Sequence, residues 1–260
     1  MTDAALSSRE PRPDDYDAAE AVTARQFSVY RDLARSDVRR LVERFTGLVE
    51  VSGKVQIQAP GDQQLDVYLL VSGWAIGSIE IDERKRYIHR LYRPGDLLAI
   101  EDTNWTYATT TITALKRAKL LSIPKDDFIG MLAQDKTLSP FLFGIAMLDH
   151  VRLMDRAQAN ARLSARWRMA HFLLTMERDQ RRFGDSPGPY FHIPLTQGQI
   201  ADCIGISPVH ANRAYQSLVA DGYIQREGRD YQILRRDEMI AATGWIDRQN
   251  VRDHFISRAA

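Results

Sequence analysis

The sequence is poor in cysteine, long apolar runs and net charge, and each shortage excludes a class of protein. Its single cysteine, Cys203, cannot form an internal disulfide, and it excludes a cysteine-clustered zinc site or iron–sulfur cluster. Apolar runs such as residues 145–148 are far shorter than the roughly 20 residues of a membrane span. The 35 Lys and Arg nearly balance 34 Asp and Glu, so the net charge of +1 identifies no partner. Since the first residues do not form a secretory signal, we expect a soluble cytoplasmic protein with no membrane partner.

The hydrophobic period changes along the chain and divides it into segments. Residues 1–23 are polar and acidic and are expected to have no fixed structure. Residues 27–45 have a helical period, with Ser36 as the expected N-cap. From residue 47 to Pro124 the period is two, which is typical of a small antiparallel barrel or sandwich, and a short helix follows Pro124. The expected strands are residues 48–51, 55–58, 67–71, 75–81, 87–92, 107–114 and 119–123.

Residues 139–182 contain few helix breakers, and an apolar stripe follows a seven-residue repeat along them. A stripe this narrow favours contact with another helix, most simply its copy in a second subunit, and a helix lying along its own barrel is the alternative. At His150 two symmetry mates would meet. One interpretation is a pH switch, in which protonation of the two histidines would loosen the dimer. The other interpretation is a polar residue that fixes helix register. The expected dimer residues are Met147, His150, Met154, Ala157 and Ala161.

Residues 193–224 predict two short helices joined by a tight turn, which is a helix-turn-helix. Thr196 and Gln199 have the spacing of a capping box at the start of the first helix. Gly205 suits the left-handed turn that ends this helix. Ser207 is the expected N-cap of the second helix, with a proline in its first position. The inner face of the second helix is expected to comprise Ala211, Ala214 and Leu218.

The outer face of the predicted second helix carries side chains of the types that contact DNA bases. Arginine bonds bidentately to guanine, asparagine or glutamine bonds to adenine, and an aliphatic side chain contacts the thymine methyl. The expected base-reading residues are Val209, Asn212, Arg213 and Gln216. The last three follow Val209 by three, four and seven residues, so all four lie on one face of the helix. The expected contacts to backbone phosphates are Thr196, Gln197, Ser207 and His210 at the helix starts, and Arg226 and Arg229 in a two-stranded wing. A winged helix used only for protein contacts is the alternative.

Taken together, the sequence resembles the Crp/Fnr family of bacterial transcription regulators. The resemblance rests on Leu195-Thr-Gln, Ile200-Ala-Asp, Ile204-Gly-Ile-Ser-Pro and Asn212-Arg, supported by Pro60-Gly-Asp, Leu70-Val-Ser-Gly and Pro94-Gly-Asp. It implies an α+β fold with an antiparallel β-roll (a double-stranded β-helix, jelly-roll-like), a long dimerisation helix and a winged helix-turn-helix. The implied segments are an arm at 1–23, the roll at 24–136, the dimer helix at 137–163, the DNA-binding domain at 164–236 and a helical tail at 237–260.

The resemblance also implies partners. The protein is expected to bind double-stranded DNA as a homodimer on an inverted repeat, under a small-molecule effector that the sequence does not identify, and RNA polymerase is a partner if the protein activates transcription. Val209 replaces a glutamate common in the family, so the preferred half-site is expected to differ. The family's cyclic-AMP cassette is replaced by Ala99-Ile100 and Ala108-Thr109, and the base-contacting pair of the dimer helix by Leu153-Met154. A cyclic-AMP receptor is therefore not expected, and no cofactor is expected.

Other constellations favour ordinary structural roles. His89 lacks the neighbours of a metal site, and Cys203 reads as a small buried hydrophobe rather than a redox sensor. The aromatic residues expected in the barrel core are Trp74, Trp105, Tyr68, Tyr87, Tyr92 and Tyr107. With no catalytic constellation, an enzyme is not expected. The alternative function is a small-molecule-binding β-barrel protein whose C-terminal module mediates protein contacts.

Overall fold

The computed structural model describes residues 6–27, 34–63, 65–82, 85–183 and 188–248. The chain forms two compact units, Met1–Asp149 and His150–Ala260, and their boundary falls within a long helix. Among the described residues, no helix is long and apolar enough to cross a membrane.

The N-terminal unit is built on two antiparallel sheets, as the alternating pattern predicted. Their strands are β1 (Leu6–Arg9), β2 (Gly47–Val51), β3 (Val55–Gln58), β4 (Asp66–Ser72), β5 (Ala75–Asp82), β6 (Lys85–Tyr92), β7 (Leu97–Leu98), β8 (Thr111–Ala114) and β9 (Ala118–Pro124). One sheet has the order β1-β2-β9-β4-β7 and the other β3-β8-β5-β6. The expected strand at 107–114 is wrong in its first half. There the Thr109 N–H donates to Asp102 Oδ1 at 3.1 Å instead of to a neighbouring strand.

The prediction that residues 1–23 lack structure is wrong for the residues described, and residues 1–5 lie outside them. β1 pairs with β2, and α1 (Pro13–Phe27) packs on the sheet with Ala19 and Phe27 buried. The Phe27 ring lies 4.7 Å from that of Phe141. The polar composition misled because the acidic residues of α1 have basic partners: Arg9 lies 2.8 Å from Asp15.

The expected helix at 27–45 is wrong at its start, and residues 28–33 lie outside the described part. α2 spans Arg35–Val42, and its N-cap is Ala34 rather than Ser36. After the sheets come α3 (Lys125–Gln134), α4 (Leu138–Arg162) and α5 (Ala165–Phe183). α4 and α5 are separated at residues 163–164, although neither position is glycine or proline.

The C-terminal unit places a helix-turn-helix against a small sheet. Its further elements are β10 (Phe191–His192), α6 (Gln197–Ile204), α7 (Pro208–Ala220), β11 (Ile224–Glu227), β12 (Asp230–Ile233) and α8 (Arg236–Thr243). The sheet order is β10-β12-β11. Of the helical tail expected at 237–260, the described residues are helical only as far as Thr243, where α8 ends. Residues 249–260 lie outside the described part. Beyond α8 the chain buries Trp245, whose Nε1 donates to Thr175 Oγ1 of α5 at 3.1 Å.

The aromatic residues expected in the barrel core have different environments. Tyr92 is fully buried, and Trp74, Tyr68 and Tyr87 are partly buried. Trp105 and Tyr107 are about 60% exposed (60% and 59%), so their assignment to the core is wrong. Trp105 follows the turn at residues 103–104 and belongs to no strand. Tyr107 forms an isolated antiparallel bridge with Gln63, and its side chain lies on the outer face because the alternation from 107 to 110 turns Ala108 and Thr110 inward.

Candidate nucleic-acid interface

The helix-turn-helix forms by the local signals that predicted it. The Thr196 hydroxyl accepts from Gln199 N, and the Gln199 side chain accepts from Thr196 N at 2.8 Å, which completes the capping box of α6. Gly205 ends this helix with φ of 66°, a left-handed conformation that glycine adopts without strain. Ser207 then caps α7 by accepting from His210 N, and Pro208 is its first residue. Two consecutive caps therefore fix the angle at which α7 leaves the turn.

One face of α7 is exposed along its length. Ala211, Ala214 and Leu218 are buried beneath the helix, as expected. On the opposite side lies the reading row, which we define as Val209, Asn212, Arg213 and Gln216. All four are exposed within their unit, Val209 by 62%. Among the described residues Arg213 forms no ion pair, so its guanidinium is available to a ligand.

The acidic residue at the end of α7 has a basic partner. Asp221, at the C-terminal end of α7, pairs with Arg166 Nη1 at 2.6 Å. The same guanidinium donates to Ser217 Oγ at 3.0 Å and lies over the rings of Trp167 and Tyr223. Arg166 therefore attaches the far end of α7 to α5 and pairs with the carboxylate at that end.

Polar groups surround the entrance of α7. The Ser207 hydroxyl and His210 Nδ1 are 2.8 Å apart, and both residues are exposed. Gln197, the first residue of α6, is exposed as well. Gln197 and Asn212 also line a shallow open cleft with Tyr215 and Arg226. The structure thus brings the predicted helix-start residues to the same surface as part of the reading row.

The wing forms as a β-hairpin beside α7. β11 and β12 pair antiparallel around a turn in which Gly228 has φ of 61°. Arg226 lies on β11 and Arg229 in the turn. Burial raises the pKa of Tyr231, and the nearby positive charge of Arg226 acts against that rise.

Apolar side chains are exposed along α4. Of the expected dimer residues, Met154 is 57% exposed and Met147, His150, Ala157 and Ala161 are also exposed. The structure adds Phe143, which is exposed one turn before Met147 and which the seven-residue repeat had not included. Its spacing of four residues from Met147 was the available signal.

The roll holds its own carboxylate where the family's nucleotide cassette would lie. Asp102 is fully buried and accepts from Thr109 N, Thr109 Oγ1 and Gln58 Nε2, the last at 2.8 Å. Ala99 has φ of 65°, a left-handed conformation that is unusual for a residue with a side chain. These residues do not fit an anionic nucleotide, because the Thr109 donors are already bound to an internal anion.

Two further functional candidates are Cys203 and His89. Cys203 is buried, as a small hydrophobe was expected to be. His89 lies on β6, and the described residues contain no group of three or more His, Cys, Asp or Glu side chains that could hold a metal ion.

Comparison with known proteins agrees with this geometry. The sequence of residues 168–242 matches the Crp-like helix-turn-helix domain family. No curated protein sequence matches the chain.

The other comparison is with solved structures, and it concerns the fold. FixK2 from Bradyrhizobium japonicum has a TM-score of 0.68 at 18% identity, covering 75% of this chain and 96% of that chain. A variant of CooA from Carboxydothermus hydrogenoformans gives 0.64 at 17% identity, covering 78% and 89%. TTHA1359, a transcriptional regulator of the CRP/FNR family from Thermus thermophilus, gives 0.59 at 17% identity, covering 76% and 98%. At these identities the likeness shows the fold alone: this chain has the same fold as these three proteins.

Proposed function

We propose that this protein is a homodimeric, sequence-specific DNA-binding transcription regulator that reads an inverted repeat. The observation that carries the proposal is the reading row on α7, an exposed strip without carboxylates on a helix with a capped start. Its arginine and two amides have the bonding geometry that distinguishes guanine and adenine in the major groove. An aliphatic residue at Val209 adds a contact for a thymine methyl.

The supporting contacts belong to the DNA backbone. Thr196, Gln197, Ser207 and His210 lie at helix starts, where backbone N–H groups and the helix dipole favour a phosphate. Arg229, in the wing turn, adds a positive charge beside the same surface. These groups set the register of the protein on the duplex, while the reading row supplies base preference.

The apolar row on α4 supports assembly as a homodimer. A two-fold axis along this seam would bury Met147, Met154 and their neighbours, and it would carry two reading rows to successive major grooves about 34 Å apart. We expect Met154→Lys to shift the protein toward monomer in analytical ultracentrifugation, with an unchanged circular dichroism spectrum. A dimer that survives this change would place the seam elsewhere.

The decisive experiment is selection of binding sites from a random duplex library by the full-length protein. We expect an inverted repeat and a steep salt dependence of the dissociation constant. Arg213→Ala should cost about 1–3 kcal/mol at the selected site and relax one base position, because a bidentate contact is lost. Arg229→Ala, the matched control, should weaken every sequence about equally.

Two outcomes would count against the proposal. Unchanged affinity and selectivity of Arg213→Ala would show that α7 does not read bases. Absence of any salt-dependent retention on duplex DNA would favour the alternative of a small-molecule-binding barrel whose C-terminal module mediates protein contacts. A regulator that activates transcription from this site would have RNA polymerase as a further partner.

A further inference from the structure

Arg226 contacts the helix of the reading row and the wing at the same time. It lies opposite Tyr231 in the β11–β12 register, so the two side chains share one face of the hairpin. Its guanidinium carbon is 5.1 Å from the centroid of the Tyr231 ring and 5.4 Å from that of Tyr215 on α7. The two rings are 6.2 Å apart and nearly perpendicular. The Arg226 side chain therefore links α7 to the β11–β12 hairpin.

Arg226 also bonds to the wing turn. Its Nε donates to the carbonyl oxygen of Gly228 at 2.5 Å. Gly228 precedes Arg229, the other basic residue of the wing. The conformation of the turn, and hence the position of Arg229, is tied to the place where Arg226 is held.

The chemistry of these contacts requires arginine in particular. A planar guanidinium stacks on aromatic rings while it donates hydrogen bonds in its own plane, whereas the ammonium of lysine is a compact point charge. Among the described residues Arg226 forms no ion pair, and its partly buried side chain contacts the two rings and the Gly228 carbonyl. Reaching outward to a phosphate would remove the guanidinium from these contacts.

We propose that Arg226 is a positioning residue that fastens the wing to α7 and acts on DNA through Arg229, rather than a phosphate contact as the sequence predicted. The inference rests on the proposed DNA binding. Arg226 and Arg229 form one functional unit, in which only Arg229 contacts the phosphate.

The test is a double-mutant cycle on the full-length protein with random-sequence duplex DNA as the probe, measured from 50 to 300 mM KCl. Arg229→Ala should reduce the slope of log affinity against log salt by about 1. It should weaken binding roughly 3- to 10-fold in the wild type at low salt but less than about 2-fold in the Arg226→Ala background. Arg226→Lys should behave like Arg226→Ala, because it keeps the charge and loses the planar stack.

A direct phosphate contact predicts the opposite results. The two alanine substitutions would then be additive, their slope changes would sum to about 2, and Arg226→Lys would restore the slope. The matched control is Arg235→Ala. Arg235 lies 5.6 Å from the ring of Tyr223 but precedes α8 rather than the wing turn, so this change should be additive with Arg229→Ala.

A second measurement needs no DNA. Hydrogen exchange in Arg226→Ala should speed up at the amides of β11 and β12 while α6 and α7 keep their protection. Unchanged protection of the wing, or additivity in the cycle, would overturn the positioning role while leaving DNA binding intact. Failure of the wild type to bind duplex DNA at any salt concentration would overturn both proposals.

Discussion

A pair of glycine substitutions tests the packing of α1 over the roll. Gly95 has φ of +92°, and a Cβ built on it would lie 2.7 Å from the Val22 carbonyl oxygen and 2.6 Å from the Gln26 Cβ, both in α1. Gly53 has nearly the same φ, +98°, with no atom within 4 Å of its Cβ position. The two sites differ in whether α1 covers them, so their comparison isolates that contact from backbone strain.

The two effects have different magnitudes. Placing alanine in a left-handed conformation costs roughly 1–2 kcal/mol, which is the whole expected cost of Gly53→Ala. Gly95→Ala adds overpacking against a backbone carbonyl that cannot rotate away, for a further ~1–3 kcal/mol. It also disturbs Asp96, which accepts from Arg93 N at 3.0 Å and from the Gln26 side chain.

The assay is guanidinium chloride unfolding of the full-length protein, followed by circular dichroism and by tryptophan fluorescence. Gly95→Ala should lower the unfolding free energy of the N-terminal unit by more than Gly53→Ala does, without changing that of the C-terminal unit. Equal losses in the two variants would refute the placement of α1 over the 93–96 turn.

Three further outcomes are expected. Trp245→Ala should destabilise the C-terminal unit by about 3–5 kcal/mol, whereas the neighbouring Ile246→Ala, at a 47% exposed site, should cost no more than about 0.5 kcal/mol in the same denaturation assay. Burial lowers the pKa of His171 to about 4, below its usual 6.5, so the unfolded chain takes up a proton first as pH falls. Stability should therefore decline between pH 6.5 and pH 4, and His171→Gln should flatten that decline; parallel curves would contradict it. Asp102→Ala should cost roughly 1–3 kcal/mol by leaving buried donors unpaired. Glu101→Gln should be near neutral in thermal unfolding, because glutamine keeps an oxygen that can accept from the Tyr92 hydroxyl.

The helix-turn-helix was predictable because its signals are local. Each cap and its partner lie within three residues of one another, as in Thr196 with Gln199 and Ser207 with His210. The glycine that turns the chain is adjacent to the helix it ends. Period-two alternation likewise located most strands of the roll, because a sheet with one buried face repeats every second residue.

The elements that were missed depend on partners far away in sequence. α1 looked too polar to fold, yet Gln26 bonds to Asp96, 70 residues away. Trp245 is buried by residues of α5, and nothing near it in sequence indicates that contact. β7 is only two residues long, which is too short for any periodic signal.

Arg226 and Asp102 show the same limit at the level of function. From sequence, a wing arginine indicates a phosphate contact, because its charge is visible and its ring partners are not. The replacement of the family's cyclic-AMP cassette by Ala99-Ile100 and Ala108-Thr109 likewise predicts that cyclic AMP is not bound, but not what the donors of Thr109 do instead. The structure supplies the answer for Thr109, whose N–H and hydroxyl both bond to Asp102. Since that carboxylate is part of the chain, the N–H and hydroxyl of Thr109 are already bound within the roll and are not available to a nucleotide phosphate.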